Sequence, residues 1–193
     1  MFLNHFNLMS AQINEKIIYL KLRQKDKEAF IKAYDNYIDD IYRFIYFKVG
    51  KKEDAEDITS LVFLKSWDYI QNNKLEDYKT LKAFFYKVAR NAVIDHYRKN
   101  SGLENISIDK EEGSIDIVDE KIDLEKAFDI KLDYEKLMSA MASLKGEYRE
   151  VLMLRYINEL SIKEIADILE KDKGNVRVLL FRAIGAIKKI VSN

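Results

Sequence analysis

Basic side chains are concentrated near the end of the chain. From Lys171 onward there are six basic residues and one acidic residue, Asp172. Lysine and arginine at this density are typical of a surface that meets the phosphates of a nucleic acid. The first hypothesis is therefore nucleic-acid binding.

Two short helices joined by a tight turn are predicted to position these charges. Ser161 and Glu164 form an S-x-x-E capping box, which satisfies free backbone donors where the first helix begins. Asp172 is a suitable cap for the second helix. Helical spacing predicts buried residues on both helices: Ile162, Ile165, Ala166, Leu169, Val176, Leu179, Leu180, Ala183, Ile184 and Ile187. Lys173, Asn175, Arg177 and Arg182 are left facing mostly outward.

A capped helix, a short turn and a basic second helix are typical of a helix-turn-helix, whose second helix fits the DNA major groove. The same pattern also occurs in all-α domains that touch no DNA. The pattern alone leaves both alternatives open, and the charge of the second helix favours DNA.

A second basic face is predicted in the middle of the chain. Thr80 to Lys99 has the clearest helical period, with apolar residues at Leu81, Phe84, Phe85, Val88, Ala89, Ala92, Val93 and Tyr97. The opposite face is expected to carry Lys82, Tyr86, Lys87, Arg90, Asn91, Asp95 and Arg98. Basic groups beside an aromatic ring suit stacking on unpaired bases and contact with phosphates. The alternative is an ordinary amphipathic surface helix.

Acidic residues open the helix predicted from Lys51 to Ile70. The cluster consists of Glu53, Asp54, Glu56 and Asp57, and the helix dipole favours anions at this end. Ile58, Leu61, Val62 and Leu64 are predicted to be core. The cluster has two interpretations, a solvated helix start or a docking surface for a basic partner. Trp67 is predicted to be packed, although tryptophan is also a frequent anchor of interfaces.

Composition favours helices and excludes several chemistries. The chain has 193 residues, no cysteine, no proline and six glycines. These counts predict an all-α protein without disulfides or thiolate metal sites. The two histidines, His5 and His96, lack obvious metal or nucleophile partners, so we predict no catalytic residues, no metal and no cofactor. No apolar run reaches the roughly 18 residues that span a membrane, and a cytoplasmic location is expected.

The remaining segments predict two helical domains joined by a linker. Asp26 is expected to cap a helix that runs to about Val49 and ends at Gly50. Its apolar residues are predicted to be core: Phe30, Ile31, Tyr34, Tyr37, Ile38, Ile41, Phe44, Ile45 and Val49. Residues 71–79 are expected to form a polar loop. Residues 101–129 lose all periodicity and are acidic, which indicates a flexible linker. Helices are then predicted over 134–143 and 146–157.

Four segments in this order resemble the extracytoplasmic-function (ECF) group of bacterial RNA polymerase sigma factors. The segment IYLKLRQKDKEAFIKAYDNYIDDIYRFIY is similar to the family's first helix, and DAEDITSLVFLKSW to the segment that holds the core enzyme. LKAFFYKVARNAVIDHYRK resembles the helix that melts the promoter and reads the −10 element. The segment from Leu144 to Lys189 resembles the domain that reads the −35 element.

The resemblance implies three parts: residues 1–100 for core binding, −10 recognition and melting, 101–131 as linker, and 132–193 as the helix-turn-helix domain. It implies contacts with the beta-prime and beta subunits of core polymerase, with promoter DNA and with an anti-sigma factor. The implied polymerase contacts are Asp54, Asp57, Phe63 and Trp67. The implied DNA contacts are Tyr86, Arg90, Asn91, Asp95 and Arg98 at −10, and Lys173, Asn175, Arg177, Val178, Phe181 and Arg182 at −35.

Two other classes remain possible from the sequence. One is a helix-turn-helix regulator with an N-terminal sensing or dimerisation domain. The other is an all-α interaction module without a DNA role. Residues 51–99 favour the sigma factor, because a regulator has no need of an acidic docking helix followed by a basic aromatic one.

Overall fold

A computed structural model describes residues 13–72, 75, 80–101 and 139–191. All regular secondary structure in these ranges is helical, which confirms the predicted all-α class. The chain divides into two compact units, Met1–Ile106 and Ser107–Asn193. None of the described helices combines the length and the apolar character needed to cross a membrane. The predicted linker lies almost entirely outside the described residues.

The described residues of unit 1 form four helices. They are α1 over residues 13–22, α2 (Lys27–Val49), α3 (Lys52–Asn72) and α4 (Leu81–Ser101). Asp26 caps α2 as predicted, accepting a hydrogen bond from the Ala29 backbone N–H at 3.0 Å. Gly50 ends α2 with φ 73°, in the left-handed region that glycine tolerates. Most of the predicted polar loop between α3 and α4 lies outside the described residues.

Aromatic rings form much of the core of unit 1. Tyr37 and Phe63 both contact Phe85, each with ring centroids 5.3 Å apart, which joins α2 and α3 to α4. Phe44 of α2 meets the edge of Tyr86 at 5.2 Å. Aromatic pairs at these distances contribute about 0.5–1.5 kcal/mol beyond their buried area. The core thus fixes all three long helices relative to one another.

Four residues that were predicted to be core are instead exposed. Ile31 and Tyr34 on α2, and Leu61 and Leu64 on α3, all keep substantial solvent contact, and Leu64 is 68% exposed. Ala29 and Ala33 take the buried positions on α2, while Ile58 and Val62 do so on α3. Leu64 is out of helical phase with that pair, and the prediction was wrong because it counted apolar residues without their angular position.

Unit 2 is built around a helix-turn-helix. After residues 139–142 come α5 (Gly146–Leu152), a π-helical turn (Met153–Ile157), α6 (Ile162–Leu169) and α7 (Lys173–Val191). Arg149 ties the first segment to α5, since its Nε donates to the Met141 carbonyl at 2.8 Å and its Nη2 to the Leu144 carbonyl at 3.0 Å. The rest of the helix predicted over 134–143 lies outside the described residues.

The turn between α6 and α7 follows the predicted chemistry. Ser161 and Glu164 form the complete capping box at the start of α6. Glu170 ends α6 in the left-handed region, with φ 56°. Asp172 then caps α7, accepting from the Asn175 backbone N–H at 2.8 Å. The predicted buried residues of α7 are buried except Leu179, which is half-buried.

Candidate nucleic-acid and protein-binding surfaces

The outer side of α7 carries most of the predicted DNA contacts. Lys173, Asn175, Arg177 and Phe181 are exposed, and Val178 and Arg182 are half-buried. The opposite side is fixed in the core by Val176, Leu180, Ala183, Ile184 and Ile187. A rigid helix therefore presents these side chains outward in an orientation set by packing. Phe181, at 52% exposure, is a large apolar group on a surface otherwise formed by basic and amide groups.

The side-chain amide of Asn175 is already engaged within unit 2. Its Nδ2 donates to Asp172 Oδ2 at 2.6 Å, in addition to the backbone cap. The side chain is thereby oriented at the first turn of α7. The same bond occupies a donor that a base contact would use, so base reading by this group requires a change of partner or use of its carbonyl oxygen.

The outward face of α4 holds four of its five predicted DNA contacts. Asn91 and Arg98 are exposed, and Arg90 and Asp95 are half-buried. Asp95 is not isolated: its Oδ2 lies 3.1 Å from Lys65 Nζ of α3. The α4 surface therefore combines basic and amide groups with one carboxylate that is paired across helices.

The prediction that Tyr86 lies on this outward face was wrong. Its side chain is fully buried beneath α2, against Phe44. The helical period of α4 alone suggested one buried face, but α2 and α3 pack on different sides of α4 and bury a wider arc. Tyr86 is therefore a core residue and is not available to stack on a base.

The hydroxyl of Tyr86 has no hydrogen-bonding partner among the described residues. Burial raises the pKa of the Tyr86 phenol, and the nearby Asp40 carboxylate raises it further. The phenol thus stays neutral through the physiological range, since both effects disfavour the phenolate. Its role is packing, with an unsatisfied polar atom as a cost.

The acidic start of α3 is accessible at two of the predicted docking residues. Asp57 is exposed, and Asp54 is partly exposed with its Oδ2 3.7 Å from His96 Nε2 of α4. Both carboxylates lie in the first turns of the helix, where its dipole stabilises negative charge. They provide an anionic surface suited to a basic partner.

The other two predicted docking residues, Phe63 and Trp67, line an apolar groove between α2 and α3. The groove has a volume of about 500 Å³. Phe63 is itself buried against Tyr34, at 4.7 Å between ring centroids, and Trp67 packs on Phe30 at 4.9 Å. The complete lining is Lys27, Phe30, Ile31, Tyr34, Ser60, Phe63, Leu64 and Trp67.

Sequence reasoning missed Ile31, Tyr34 and Leu64 as surface residues of this groove. A signal was present, because Leu64 lies outside the apolar phase set by Ile58 and Val62. Together with Ile31 and Tyr34, Leu64 forms a contiguous exposed apolar patch, which marks a candidate binding surface.

Within the part of the chain that the structure describes, no cluster of three acidic or histidine side chains could hold a metal ion.

Comparison with known proteins agrees with this arrangement. The family model for "Sigma-70 region 2" matches residues 33–102, which contain most of α2 and all of α3 and α4. The model for "Sigma-70, region 4" matches residues 134–187, which contain α6 and all but the last four residues of α7. The two models therefore cover the two helical units separately.

Individual relatives share the same class. The chain is 31% identical over 157 residues to the ECF RNA polymerase sigma factor SigM of Bacillus subtilis, covering 81% of this chain and 91% of SigM. It is 27% identical over 191 residues to the ECF RNA polymerase sigma factor SigW of the same species, covering 94% of this chain and 97% of SigW. It is 28% identical over 166 residues to BldN of Streptomyces coelicolor, covering 86% of this chain and 61% of BldN.

Two solved structures share the fold. RpoE of Bartonella quintana, in complex with the anti-sigma factor NepR, gives a TM-score of 0.62 at 19% identity, covering 84% of this chain and 96% of RpoE. CnrH, in complex with the cytosolic domain of CnrY, gives 0.65 at 15% identity, covering 93% and 97%. Because the chain is 31% identical to SigM over most of both proteins, it belongs to the ECF sigma factors of RNA polymerase. Sigma factors are regulatory factors of transcription initiation.

Proposed function

We propose that this protein binds core RNA polymerase through unit 1 and directs it to promoters that carry −10 and −35 elements. Residues 1–100 would bind the core and the −10 element, 101–131 would form the linker, and 132–193 would read the −35 element. The observation that carries the proposal is the joint presence, in unit 1, of an acidic helix start with an apolar groove and of a separate basic face on α4.

The groove and the acidic cluster favour a helical partner with both apolar and basic side chains. An apolar helix face inserted among Ile31, Leu64 and Trp67 would remove their exposed surface from water. Burial of apolar surface favours binding by about 25 cal/mol per Å². Asp54 and Asp57 would attract basic groups beside that face. The beta-prime subunit is the proposed partner, with further contacts to beta.

The −10 contacts are assigned to Arg90, Asn91, Asp95 and Arg98 of α4. Tyr86 is left out of this set because it is buried. Extruding a base from a duplex costs a few kcal/mol, which binding of the separated strand offsets. Strand opening would then need no ATP, only stronger binding to the open strand than to the duplex.

The −35 contacts are assigned to the exposed side of α7. Asn175, Arg177, Val178, Phe181 and Arg182 would face the major groove, with Lys173 on phosphates. Phe181 and Val178 are apolar, which suits contact with thymine methyl groups, and Arg177 suits guanine. We place the protein in the cytoplasm, where the chromosome and its polymerase are.

An anti-sigma factor is a further proposed partner. RpoE of Bartonella quintana, which shares this fold, was solved in complex with the anti-sigma factor NepR. The exposed groove and α7 are the surfaces that an inhibitor would cover to prevent binding of polymerase and DNA.

The test is transcription in a defined system. Purified protein, core polymerase and fragmented genomic DNA of the source organism should yield transcripts with discrete 5′ ends, and neither protein alone should do so. The upstream sequences of those transcripts should share two spaced elements. Tight binding of duplex DNA without core polymerase, and no new transcripts with it, would instead favour the alternative of a helix-turn-helix regulator.

A further inference from the structure

A basic residue outside α4 lies at the edge of the proposed DNA-binding face of that helix. What we infer from it rests on the proposed function. Asn91, Asp95 and Arg98 follow one another at i, i+4 and i+7 spacing, so they share one side of α4. All three are among the proposed −10 contacts, but Asp95 carries a negative charge and can only accept hydrogen bonds, which a base can donate and a phosphate cannot. A carboxylate on a surface that meets phosphates repels them unless a cation is nearby.

That cation is supplied by α3. Lys65 Nζ lies 3.1 Å from Asp95 Oδ2, and the two residues are 30 positions apart in the chain. Both side chains remain nearly half exposed, at 45% and 46%. An exposed pair of this kind contributes little to stability, because water screens it. The position of the pair on the surface therefore matters more than its contribution to folding.

We propose that Lys65 is part of the promoter-binding surface and masks the charge of Asp95 there. The lysine brings a positive charge from α3, the helix that also carries the polymerase-docking residues, to the edge of the α4 face. Its Nζ has three donors, so one can remain on Asp95 while others reach a phosphate of the separated strand. One helix would then contact the polymerase at its start and the DNA at Lys65.

Removing the lysine has a double effect on charge. Lys65→Ala deletes one phosphate contact and leaves Asp95 unmasked beside the DNA. On single-stranded DNA, the magnitude of the slope of log affinity against log salt should therefore fall by about 0.7. When salt is raised from 50 to 200 mM, the DNA affinity of the variant should therefore drop about threefold less than that of the unchanged protein. Binding to core polymerase should be unaffected.

The experiment uses the full chain with core polymerase and a labelled single-stranded DNA with the non-template sequence of a promoter mapped as above. Lys52→Ala is the matched control, because Lys52 is also on α3 and in an exposed ion pair, 3.7 Å from Glu56. Lys65→Ala should lower DNA affinity and the salt slope, and Lys52→Ala should change neither. Asp95→Asn in the Lys65→Ala background should recover part of the lost affinity.

Two outcomes would overturn the proposal. One is a Lys65→Ala protein with unchanged DNA affinity and salt slope. The other is a lower melting temperature with unchanged DNA binding, which would make the pair purely structural. If the unchanged protein starts no promoter-specific transcripts, the proposed function fails by itself. Lys65 is then judged with a labelled single-stranded DNA of mixed sequence, on the same two measurements.

Discussion

Asp172 holds Asn175 by two hydrogen bonds, one from the backbone N–H at 2.8 Å and one from the side-chain Nδ2 at 2.6 Å. A single carboxylate thus caps the proposed recognition helix and orients its first amide side chain. Stability and base reading are linked at this point, because the group that starts the helix also holds a residue assigned to DNA.

Replacement of Asp172 should show how much the cap contributes to the stability of the protein. Asp172→Ala removes the cap and should lower the free energy of unfolding by about 1 kcal/mol, measured by urea denaturation. Asp172→Asn keeps a capping oxygen, so its stability should stay close to that of the unchanged protein. A loss of stability as large for asparagine as for alanine would contradict the capping role.

Arg177→Ala should weaken binding at a cognate −35 element by about 1–3 kcal/mol, if Arg177 makes a bidentate contact with a guanine. The measurement is holoenzyme binding to the mapped promoter and to versions substituted at single −35 positions. Lys188→Ala is the control, since Lys188 lies in the last turns of α7 and should affect all sequences alike. Equal losses on every sequence for Arg177→Ala would rule out base reading by this residue.

Leu64→Asp should prevent tight binding of core polymerase while leaving the fold intact. Leu64 is the most exposed large apolar residue of the groove, so a charge there costs little in the free protein but is buried without a partner in the complex. Leu61→Asp provides a matched control on the same helix, because Leu61 is exposed but does not line the groove. Pull-down of core subunits measures both, and equal loss for both variants would argue against the groove.

Double replacement of Asp57 and Trp67 by alanine should also abolish core binding. Asp57 is exposed, so its loss removes charge without disturbing the packing. Trp67 packs on Phe30, and its removal opens the groove. Circular dichroism checks that the helices remain, and core binding retained by a folded double variant would refute docking at this surface.

Local features of the fold were predictable from the sequence, and tertiary ones were not. The caps at Asp26, Ser161 and Asp172 depend on residues within three positions, and all three were found in advance. The burial of Tyr86 depends on α2 packing against that side of α4. The helical period of α4 alone does not show which of its sides another helix will cover. The ion pair of Lys65 with Asp95 likewise depends on the packing of two helices.

The groove shows the same limit at the candidate site. Phe63 and Trp67 were assigned to polymerase binding from the resemblance, and their assignment remains a prediction. Ile31 and Tyr34 on α2, and Leu64 on α3, were placed in the core, because an apolar residue on an amphipathic helix is usually buried. The angular position of Leu64 could have corrected this, whereas the exposure of Ile31 depends on how α2 and α3 pack together.

Tyr86→Phe should be neutral or stabilising, because it removes a buried hydroxyl that has no partner among the described residues. An unsatisfied buried polar group costs about 1–3 kcal/mol, which sets the upper limit of the gain. Promoter opening, followed by permanganate reactivity of thymines, should be unchanged, because the side chain is fully buried. A variant that folds normally but no longer opens promoters would restore the original prediction of a DNA-facing Tyr86.

Two glycines of α7 offer a paired test of the cap. At Gly185 an added Cβ meets nothing within 4 Å, so Gly185→Ala should raise the free energy of unfolding by about 1 kcal/mol through helix propensity. At Gly174 the added Cβ would lie 3.0 Å from Asp172 Oδ1, the oxygen that accepts from Asn175 N–H. Gly174→Ala must displace that oxygen and should therefore gain clearly less. Urea denaturation measures both variants, and an equal gain at the two positions would mean that the Asp172 side chain shifts without loss of the cap.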